Sequence, residues 1–440
     1  MHDQHDQPHH HHHEAVPSLS SKASKLQLAT FVLLLLLGIT FRLVALFSEA
    51  YRSILDLSFH GKPVAQVVMG VTEFKTNMHD FYHSHAYSTL CIVGSGSLLM
   101  PLVRYWGTIW VFFSGQFTSK ANRQWVVTFL DVIGKLMMAE FYGVMIDTVF
   151  FKIDLDMLGL RAAMRISFHL AFQLGSVSNL VATLLMHTIM YYTSPVICKF
   201  KAMRQTAGMH VCSIALVGAW VHLLGFQAPI AYFEMTGLVG KAFHRNWGFS
   251  LMDLFWDFPK STLDGEPMSS YFNAWLYLVL IVIVPFIVSI IWLGMLYLPI
   301  GNQLQGRMCQ ILPGLMSWVG TEVFTLVAIS QVYENGLVAD FLFYDKAPQL
   351  CDAMDNKVKL PCAGVDGFFK PGMLSMFVLC CCMYFMRFAA HRHVEYLLDP
   401  EEEDCSSFCT PTDLEDCTLT DLEADTLLSP NSQILQMFDE

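Results

Sequence analysis

The stretch GKLMMAEFY, from Gly134 to Tyr142, places a lysine and a glutamate inside an apolar segment. A related stretch, MSWVGTEVF, from Met316 to Phe324, has a glutamate at the same offset. A charged side chain at mid-membrane costs about 2.5–3.5 kcal/mol on insertion scales, so it needs a partner, a cavity or a task. The two stretches predict a membrane protein in which one unit occurs twice.

The composition of the whole chain also indicates a membrane protein. Of 440 residues, 54% are hydrophobic and only 15% are charged, which is too apolar for an ordinary soluble domain. The formal net charge of −12 owes much to acids crowded into the C-terminal tail. Because no basic stripe is present, a nucleic-acid partner is excluded.

Eight segments are apolar over the roughly 20 residues that a spanning helix needs. They are Leu26 to Phe47, Tyr87 to Phe113, Val126 to Phe150, Phe168 to Tyr192, Met209 to Tyr232, Tyr271 to Leu298, Leu312 to Val332 and Gly372 to Phe388. Basic residues in short loops gather on the side of the N-terminus, which predicts that both termini are cytoplasmic. We expect an all-α integral membrane fold of about eight transmembrane helices.

The order of features predicts two tandem four-helix repeats. Pro101 lies inside the second span and Pro285 inside the sixth, while Glu140 and Glu322 lie in the third and seventh. Four spans separate equivalent elements, so the copies are parallel, and their interface is the expected place for a pathway. The predicted domains are a disordered His-rich cytoplasmic N-terminus at 1–25, repeats at 26–195 and 196–392, and an acidic disordered cytoplasmic tail at 393–440.

Short loop motifs agree with this division. SILDL, at Ser53 to Leu57, follows the first span, and SLMDL, at Ser250 to Leu254, follows the fifth. Gly175 and Gly372 then lie near the beginnings of the fourth and eighth spans. These pairs suggest that the repeats differ mainly by loop insertions.

Four ionisable residues within the spans are the candidate transport residues: Asp131, Lys135, Glu140 and Glu322. At 100° per residue, Asp131 and Lys135 share a helix face, so we expect an ion pair within the helix. Glu140 lies near the opposite face and must find its partner on another helix. The equivalence of Glu140 and Glu322 favours a polar cavity or a coupling role, with a structural hydrogen bond between helices as the alternative. Asp147 is expected to mark the far headgroup edge.

Motifs for catalysis and metal binding are missing from the sequence. No GxxxxGK[ST], HExxH, GxSxG or CxxC pattern occurs, so we expect no enzymatic activity, catalytic residue, cofactor or metal site. The run from His9 to His13 is interpreted as a low-complexity tail. Cys351 and Cys362 share one polar loop and can form a disulfide if that loop faces an oxidising compartment.

The C-terminal tail carries a short pattern that resembles an acidic dileucine sorting signal, with Glu423 followed by Leu427 and Leu428. Chance in a tail rich in acids and leucine is the alternative. As a signal it would bind a sorting adaptor and place the protein in the endomembrane system or plasma membrane of a eukaryotic cell.

The two glutamate stretches and the prolines of spans two and six resemble the signature of the paraquat-inducible protein A family. Its members typically have Gly-Lys-Trp-Ser-Met-Leu-Asp-Val-Phe, to which Lys135, Glu140 and Glu322 are matched by position. The resemblance covers roughly 26–392. It implies two four-helix modules that handle lipids together with a partner protein. Bacterial members also carry zinc ribbons with CxxC pairs before each half, and this chain has none.

Three hypotheses of function remain at this point. The leading one is a lipid transporter or lipid-loading component, in which membrane lipids enter between the halves. The second is a proton- or ion-coupled transporter of small solutes, since carboxylates in the membrane serve that chemistry equally well. The third is a tetraspanin-like organiser whose loops, Ser48 to Ala86 and Glu234 to Ser270, bind an unidentified protein partner.

Overall fold

Most of the described chain is α-helical. The structure, a computed structural model, describes residues 18–59, 62–114, 120–150, 154–157, 160–193, 207–236, 246–261, 267–298, 300, 302–341, 344 and 364–397. The helices are α1 (Leu19–Lys22), α2 (Lys25–Phe47), α3 (Phe74–His83), α4 (Tyr87–Gly94), α5 (Met100–Phe113), α6 (Lys120–Gly134), α7 (Ala139–Phe150), α8 (Leu170–Thr193), α9 (Ala207–Trp220), α10 (Leu251–Asp257), α11 (Pro267–Leu278), α12 (Val284–Tyr297), α13 (Asn302–Met316), α14 (Thr321–Asp340) and α15 (Pro371–Leu397).

Six helical stretches in this part of the chain are long and apolar enough to cross a bilayer. They are Lys25–Phe47, Leu170–Met190, Ala207–Gly225, Met268–Tyr297, Ile311–Asp340 and Pro371–Ala389. The prediction of a multi-pass helical membrane protein is therefore confirmed.

The other two predicted spans are also helical but are less apolar. Residues 87–113 form α4, a π-helical turn at Ser95–Leu99, and α5. Residues 120–150 form α6, a 3₁₀ turn at Lys135–Met138, and α7. The second of these stretches carries the ionisable side chains at 131, 135, 140 and 147, and this charge distinguishes it from the six apolar stretches.

A π-helical turn precedes each mid-span proline. Ser95–Leu99 comes directly before Met100 and Pro101, and Val279–Ile283 comes before Val284 and Pro285. Proline has no N–H and its ring clashes with the carbonyl four residues earlier, so a widened turn lets the helix continue past it. The same local solution occurs in both halves of the chain.

Two small antiparallel sheets, which the sequence analysis did not predict, lie beside the helices at the loops. The strands are β1 (Tyr51–Phe59), β2 (Lys62–Thr72), β3 (Asp154–Met157), β4 (Leu160–Phe168), β5 (Ala231–Thr236), β6 (Asn246–Phe249) and β7 (Gly364–Phe369). Their orders are β2-β1-β4-β3 and β6-β5-β7. In the first half, β1 follows α2 and pairs with β4, which precedes α8, through Tyr51↔Phe168. In the second half, β5 follows α9 and pairs with β7, which precedes α15, through Ala231↔Phe369.

The sheets correct one detail of the sequence comparison. Ser53 to Leu57 lies within β1, whereas Ser250 caps α10 and Leu251–Asp257 is helical. The strand that corresponds to β1 in sheet order is β5. The matching letters SILDL and SLMDL are therefore not equivalent positions, and the expectation based on them was wrong.

The apolar core joins elements from both ends of the chain. One cluster unites Met138 of the 3₁₀ turn and α7 residues from Ala139 to Ile146 with side chains of α9 to α15. Within it the ring of Tyr142 packs edge-on against Phe324 at 5.8 Å, and Phe324 packs against Tyr277 at 5.6 Å. A second cluster contains side chains of α2, α5, α6 and α8. Thus α6 and α7, consecutive in sequence, belong to different cores.

Several predictions concern residues outside the described part of the chain. These are the disulfide of Cys351 and Cys362, the sorting motif at Glu423, Leu427 and Leu428, the His9 to His13 run and most of the acidic tail. The described chain ends with α15, which continues to Leu397.

Candidate functional site

A line of ionisable side chains follows α6, the 3₁₀ turn and α7. The line consists of Asp131, Lys135, Glu140 and Asp147. Its two ends are 16 residues apart, which at the helical rise corresponds to about 24 Å, most of the thickness of a hydrocarbon core. Asp131 contacts α5 and α15, Glu140 contacts α2 and the π-turn, and both Lys135 and Asp147 contact α14. The line therefore lies where the first and second halves of the chain meet.

Lys135 and Glu322 form an ion pair between the halves. Lys135 Nζ lies 2.5 Å from Glu322 Oε1, with the lysine side chain 4% exposed and the glutamate 16%. Glu322 is in the first turn of α14, where free backbone N–H groups favour a negative charge. Thr321 adds a hydrogen bond to the other carboxylate oxygen at 3.3 Å. Breaking this pair would leave a charge without its partner in a largely apolar environment.

Asp131 is paired with two arginines and not with Lys135. Arg387 Nη1 of α15 donates to Asp131 Oδ2 at 3.1 Å, and Arg104 Nη2 of α5 lies 3.9 Å from Oδ1. The expected intrahelical pair of Asp131 and Lys135 is therefore wrong. The α-helix stops at Gly134 and the 3₁₀ turn begins at Lys135, so the face-sharing rule for a continuous α-helix fails there.

Glu140 finds its partners on other helices, as its helical position predicts. Ser97 Oγ, in the π-turn after α4, donates to Glu140 Oε2 at 2.6 Å, and Arg42 Nη2 of α2 lies 3.5 Å from the same oxygen. Arg42 Nε also donates to the carbonyl of Ser97 at 3.0 Å. Gly96 permits this approach, because a Cβ there would collide with the backbone of Leu136. All these partners belong to the first half.

A small pocket opens beside the Glu140 cluster. Its polar lining comes from Arg42, Glu140, Ser176 and Asn179, and its apolar walls come from Ala45, Leu46, Ala50, Phe74, Phe141, Ala171, Phe172 and Gly175. Its volume of about 20 Å³ has room for one water molecule. Asn179 donates to the carbonyl of Met137 at 3.0 Å, while its Oδ1 is buried with no hydrogen-bond partner among the described residues. The pocket joins a cation, an open acceptor and apolar walls.

Glu334 makes a third polar link between the halves. Its carboxylate accepts the backbone N–H of Ser88 at 2.8 Å and that of Thr89 at 2.7 Å, and it also accepts the Ser88 hydroxyl. These groups are the free donors at the N-terminus of α4, so the carboxylate caps that helix from α14. Thr89 Oγ1 lies 2.7 Å from Ser330 Oγ on the same face.

Sequence analysis overlooked Arg42, Arg104, Arg387 and Glu334. The three arginines lie in predicted spans, so the cost of an ionisable side chain that singled out Asp131 and Glu140 applies to them equally. Counting both signs along all spans would have found these three. Glu334 lies two residues beyond the predicted seventh span but within the observed helical stretch Ile311–Asp340. The pairings themselves depend on how the helices pack and are not contained in the spacing.

The paired cations and carboxylates are suited to charge transfer or charge-dependent movement. No group of three or more His, Cys, Asp or Glu side chains that can hold a metal ion occurs in the described ranges. Neither family models, nor curated proteins, nor solved structures yield a match to this chain. The argument for function therefore depends on the polar contacts themselves.

Proposed function

We propose that the protein moves or loads membrane lipids, and that lipid passes between the two halves of an eight-span bundle. The observation that carries this proposal is the line of buried ionisable groups at the contact of the halves. Two of its ion pairs, Lys135 with Glu322 and Asp131 with Arg387, join one half to the other. Buried ion pairs contribute little net stability compared with apolar packing, so their retention is better explained by a task.

The proposal includes the arrangement of eight spans as two parallel repeats. Three features support it: the same order of long helix, strand and final helix in each half, the paired sheet pattern, and the π-turn before each proline. The predicted resemblance to the paraquat-inducible protein A family belongs to the same proposal. It rests on the two glutamate stretches and on the prolines.

The Glu140 pocket is where we place a lipid headgroup. A guanidinium such as that of Arg42 binds phosphate through a planar pair of donors, and the apolar walls suit the first carbons of the acyl chains. The pocket must widen to admit a headgroup, because its volume of about 20 Å³ has room for only one water molecule. Separation of α2 and α8 from α7 would widen it, since these helices supply its walls.

Mass spectrometry of lipids that co-purify in a mild detergent tests the proposal. The double variant Glu140→Gln/Glu322→Gln is compared with the wild type and with Glu234→Gln, the same substitution on an exposed position of β5. We expect one lipid class at near-stoichiometric amounts in the wild type and in Glu234→Gln, and its loss in the double variant. The same bulk lipid mixture in all three proteins would contradict the proposal.

A proton- or ion-coupled solute transporter is the second candidate. The observation that favours it is the depth of the ionisable line, in which Asp131 is 0% exposed and still carries two cationic neighbours. Uptake of small solutes into proteoliposomes under a proton gradient tests it. Solute uptake without lipid retention would favour this function over lipid handling.

A further inference from the structure

Asp147 differs from the other carboxylates of the α6–α7 line in its partners. Asp131, Glu140 and Glu322 each have a cationic side chain nearby. Asp147 instead faces an amide, with Gln331 Nε2 of α14 at 3.5 Å from its Oδ2. Within the described ranges, Oδ1 of Asp147 is buried and has no hydrogen-bond partner.

The facing surface of α14 carries open polar atoms of its own. Gln331 and Asn335 are 2% and 3% exposed. Gln331 Oε1 and Asn335 Nδ2 are buried and have no hydrogen-bond partner among the described residues. The Gln331 amide packs against α7 at Gly143, one turn before Asp147, where a Cβ would lie at ordinary contact distance, 3.6 Å from Gln331 Nε2. Asp147 and Gln331 are therefore in contact, and each has one oxygen without a hydrogen-bond partner.

Other ionisable groups near Asp147 are committed elsewhere or are uncharged. The elements packed on α7 are α14, α10, α4, the 3₁₀ turn and the π-turn at Ser95–Leu99. Their ionisable residues, with those of α7 itself, are Glu140, Tyr142, Lys135, Glu322, Tyr333, Glu334, Asp340, Asp253, Asp257, Tyr87 and Cys91. Glu334 caps α4, Asp253 accepts from Ser250 N at 2.8 Å, and Asp257 pairs with Lys260 at 3.2 Å. None of these side chains supplies a cation to Asp147.

One proton would complete the hydrogen bonding of this site. A carboxylate accepts only, so an ionised Asp147 can take the Asn335 amide as a donor to its open oxygen but still leaves Gln331 Oε1 without a donor. A buried polar group without a partner costs free energy, and a buried charge costs more. A neutral Asp147 has an O–H to donate to Gln331 Oε1, while Gln331 Nε2 donates to the other oxygen. Acid and amide then form a mutual pair.

We propose that Asp147 is a proton-binding site, neutral when paired with the Gln331 amide, and that this proton is the one coupled to movement of the halves. The coupling part rests on the proposed function, whereas proton binding does not. Because Asp147 and Gln331 lie on opposite sides of the interface, separation of α7 from α14 would break the pair and release the proton.

Infrared spectroscopy of the full chain in lipid nanodiscs tests proton binding at Asp147. We expect a carbonyl stretching band of a neutral carboxylic acid in the wild type at neutral pH and its loss in Asp147→Asn, which keeps the shape of the side chain. Glu140→Gln is the matched control and should keep the band, because Glu140 is ion-paired. The same spectrum for wild type and Asp147→Asn would overturn the proposal.

Gln331→Leu gives a second measurement in case Asp147→Asn fails to fold. It removes the amide while leaving the acid, so the band should shift to the frequency of a carbonyl without a hydrogen bond. An unshifted band would contradict the acid–amide pair. Lipid analysis of the same samples separates the two proposals. A carboxylic-acid band without retained lipid supports the proton site and rejects lipid handling. Retained lipid without this band supports lipid handling and rejects the proton site.

Discussion

Glu140 and Glu322 occupy matching places in two similar stretches but bind different parts of the molecule. Glu140 is held by Ser97 and Arg42, within the first half of the chain. Glu322 is held by Lys135, across the contact between the halves. Sequence similarity thus places the acid, while packing decides its partner. The difference assigns Glu140 to the pocket and Glu322 to the link between halves, and the following variants test this contrast.

Lys135→Met should lower the free energy of unfolding more than any other variant described below. It leaves Glu322 without its cation, and breaking a buried pair from one side typically costs about 3–5 kcal/mol. The measurement is the free energy of unfolding in detergent, followed by tryptophan fluorescence. Lys135→Met/Glu322→Gln should recover most of the loss, because no unpaired charge remains. A double variant as unstable as the sum of both single variants would show that the two side chains do not act as a pair.

Arg42→Met should have a smaller effect on the same free energy of unfolding. Glu140 keeps the Ser97 hydroxyl and is 20% exposed, so water can replace part of the lost interaction. We expect a loss of about 1.5–3 kcal/mol, the range for hydrogen bonds to charged groups. Retained lipid should also fall in this variant but not in Lys135→Ala/Glu322→Ala. An equal loss of lipid in both would remove the distinction between pocket and link.

Glu334→Gln should lower the free energy of unfolding modestly, because it weakens the cap by which α14 holds α4. The amide keeps one acceptor oxygen in place of two and carries no charge to interact with the N-terminus of α4, so we expect a loss of about 0.5–2 kcal/mol. Hydrogen exchange at the amides of Ser88 and Thr89 should become faster. Unchanged exchange at these two amides would show that the cap does not hold α4.

Arg52→Ala, which removes the contact of Arg52 with Glu49 outside the spans, should have the smallest effect on stability. Arg52 binds both carboxylate oxygens, at 2.8 and 2.9 Å, and holds the pKa of Glu49 below its ordinary value. A lowered pKa stabilises the fold above the unfolded-state value, and this contribution is lost as pH falls through the folded-state value. Arg52→Ala should therefore lower Tm slightly at neutral pH and not in acid. A Tm difference that persists in acid would contradict this.

The sequence predicted the helices well and their polar partners poorly. Length and apolar character are local properties, so the long spans, the prolines and the four transport candidates could be located without a structure. The pair of Asp131 and Lys135 was wrong because the 3₁₀ turn interrupts the α-helix between them. The pairing of β1 with β4, a strand about a hundred residues away, leaves little local pattern. The pairs β1–β2 and β3–β4, in contrast, join strands that are neighbours in the sequence, and these were overlooked. Asp147 was assigned to the headgroup edge, since spacing alone cannot show that it meets Gln331.

The central claim is that lipid passes between the halves and that they must separate for it to do so. The hydroxyls of Thr89 and Ser330 are 2.7 Å apart on opposite halves. The double variant Thr89→Cys/Ser330→Cys therefore allows a disulfide that joins the halves and can be reduced. The measurement is exchange of bound lipid with labelled vesicles, with each single variant as the control. We predict that exchange stops in the oxidised double variant and returns on reduction. Exchange at the wild-type rate by the oxidised double variant, with the disulfide verified by mass spectrometry, would contradict the account.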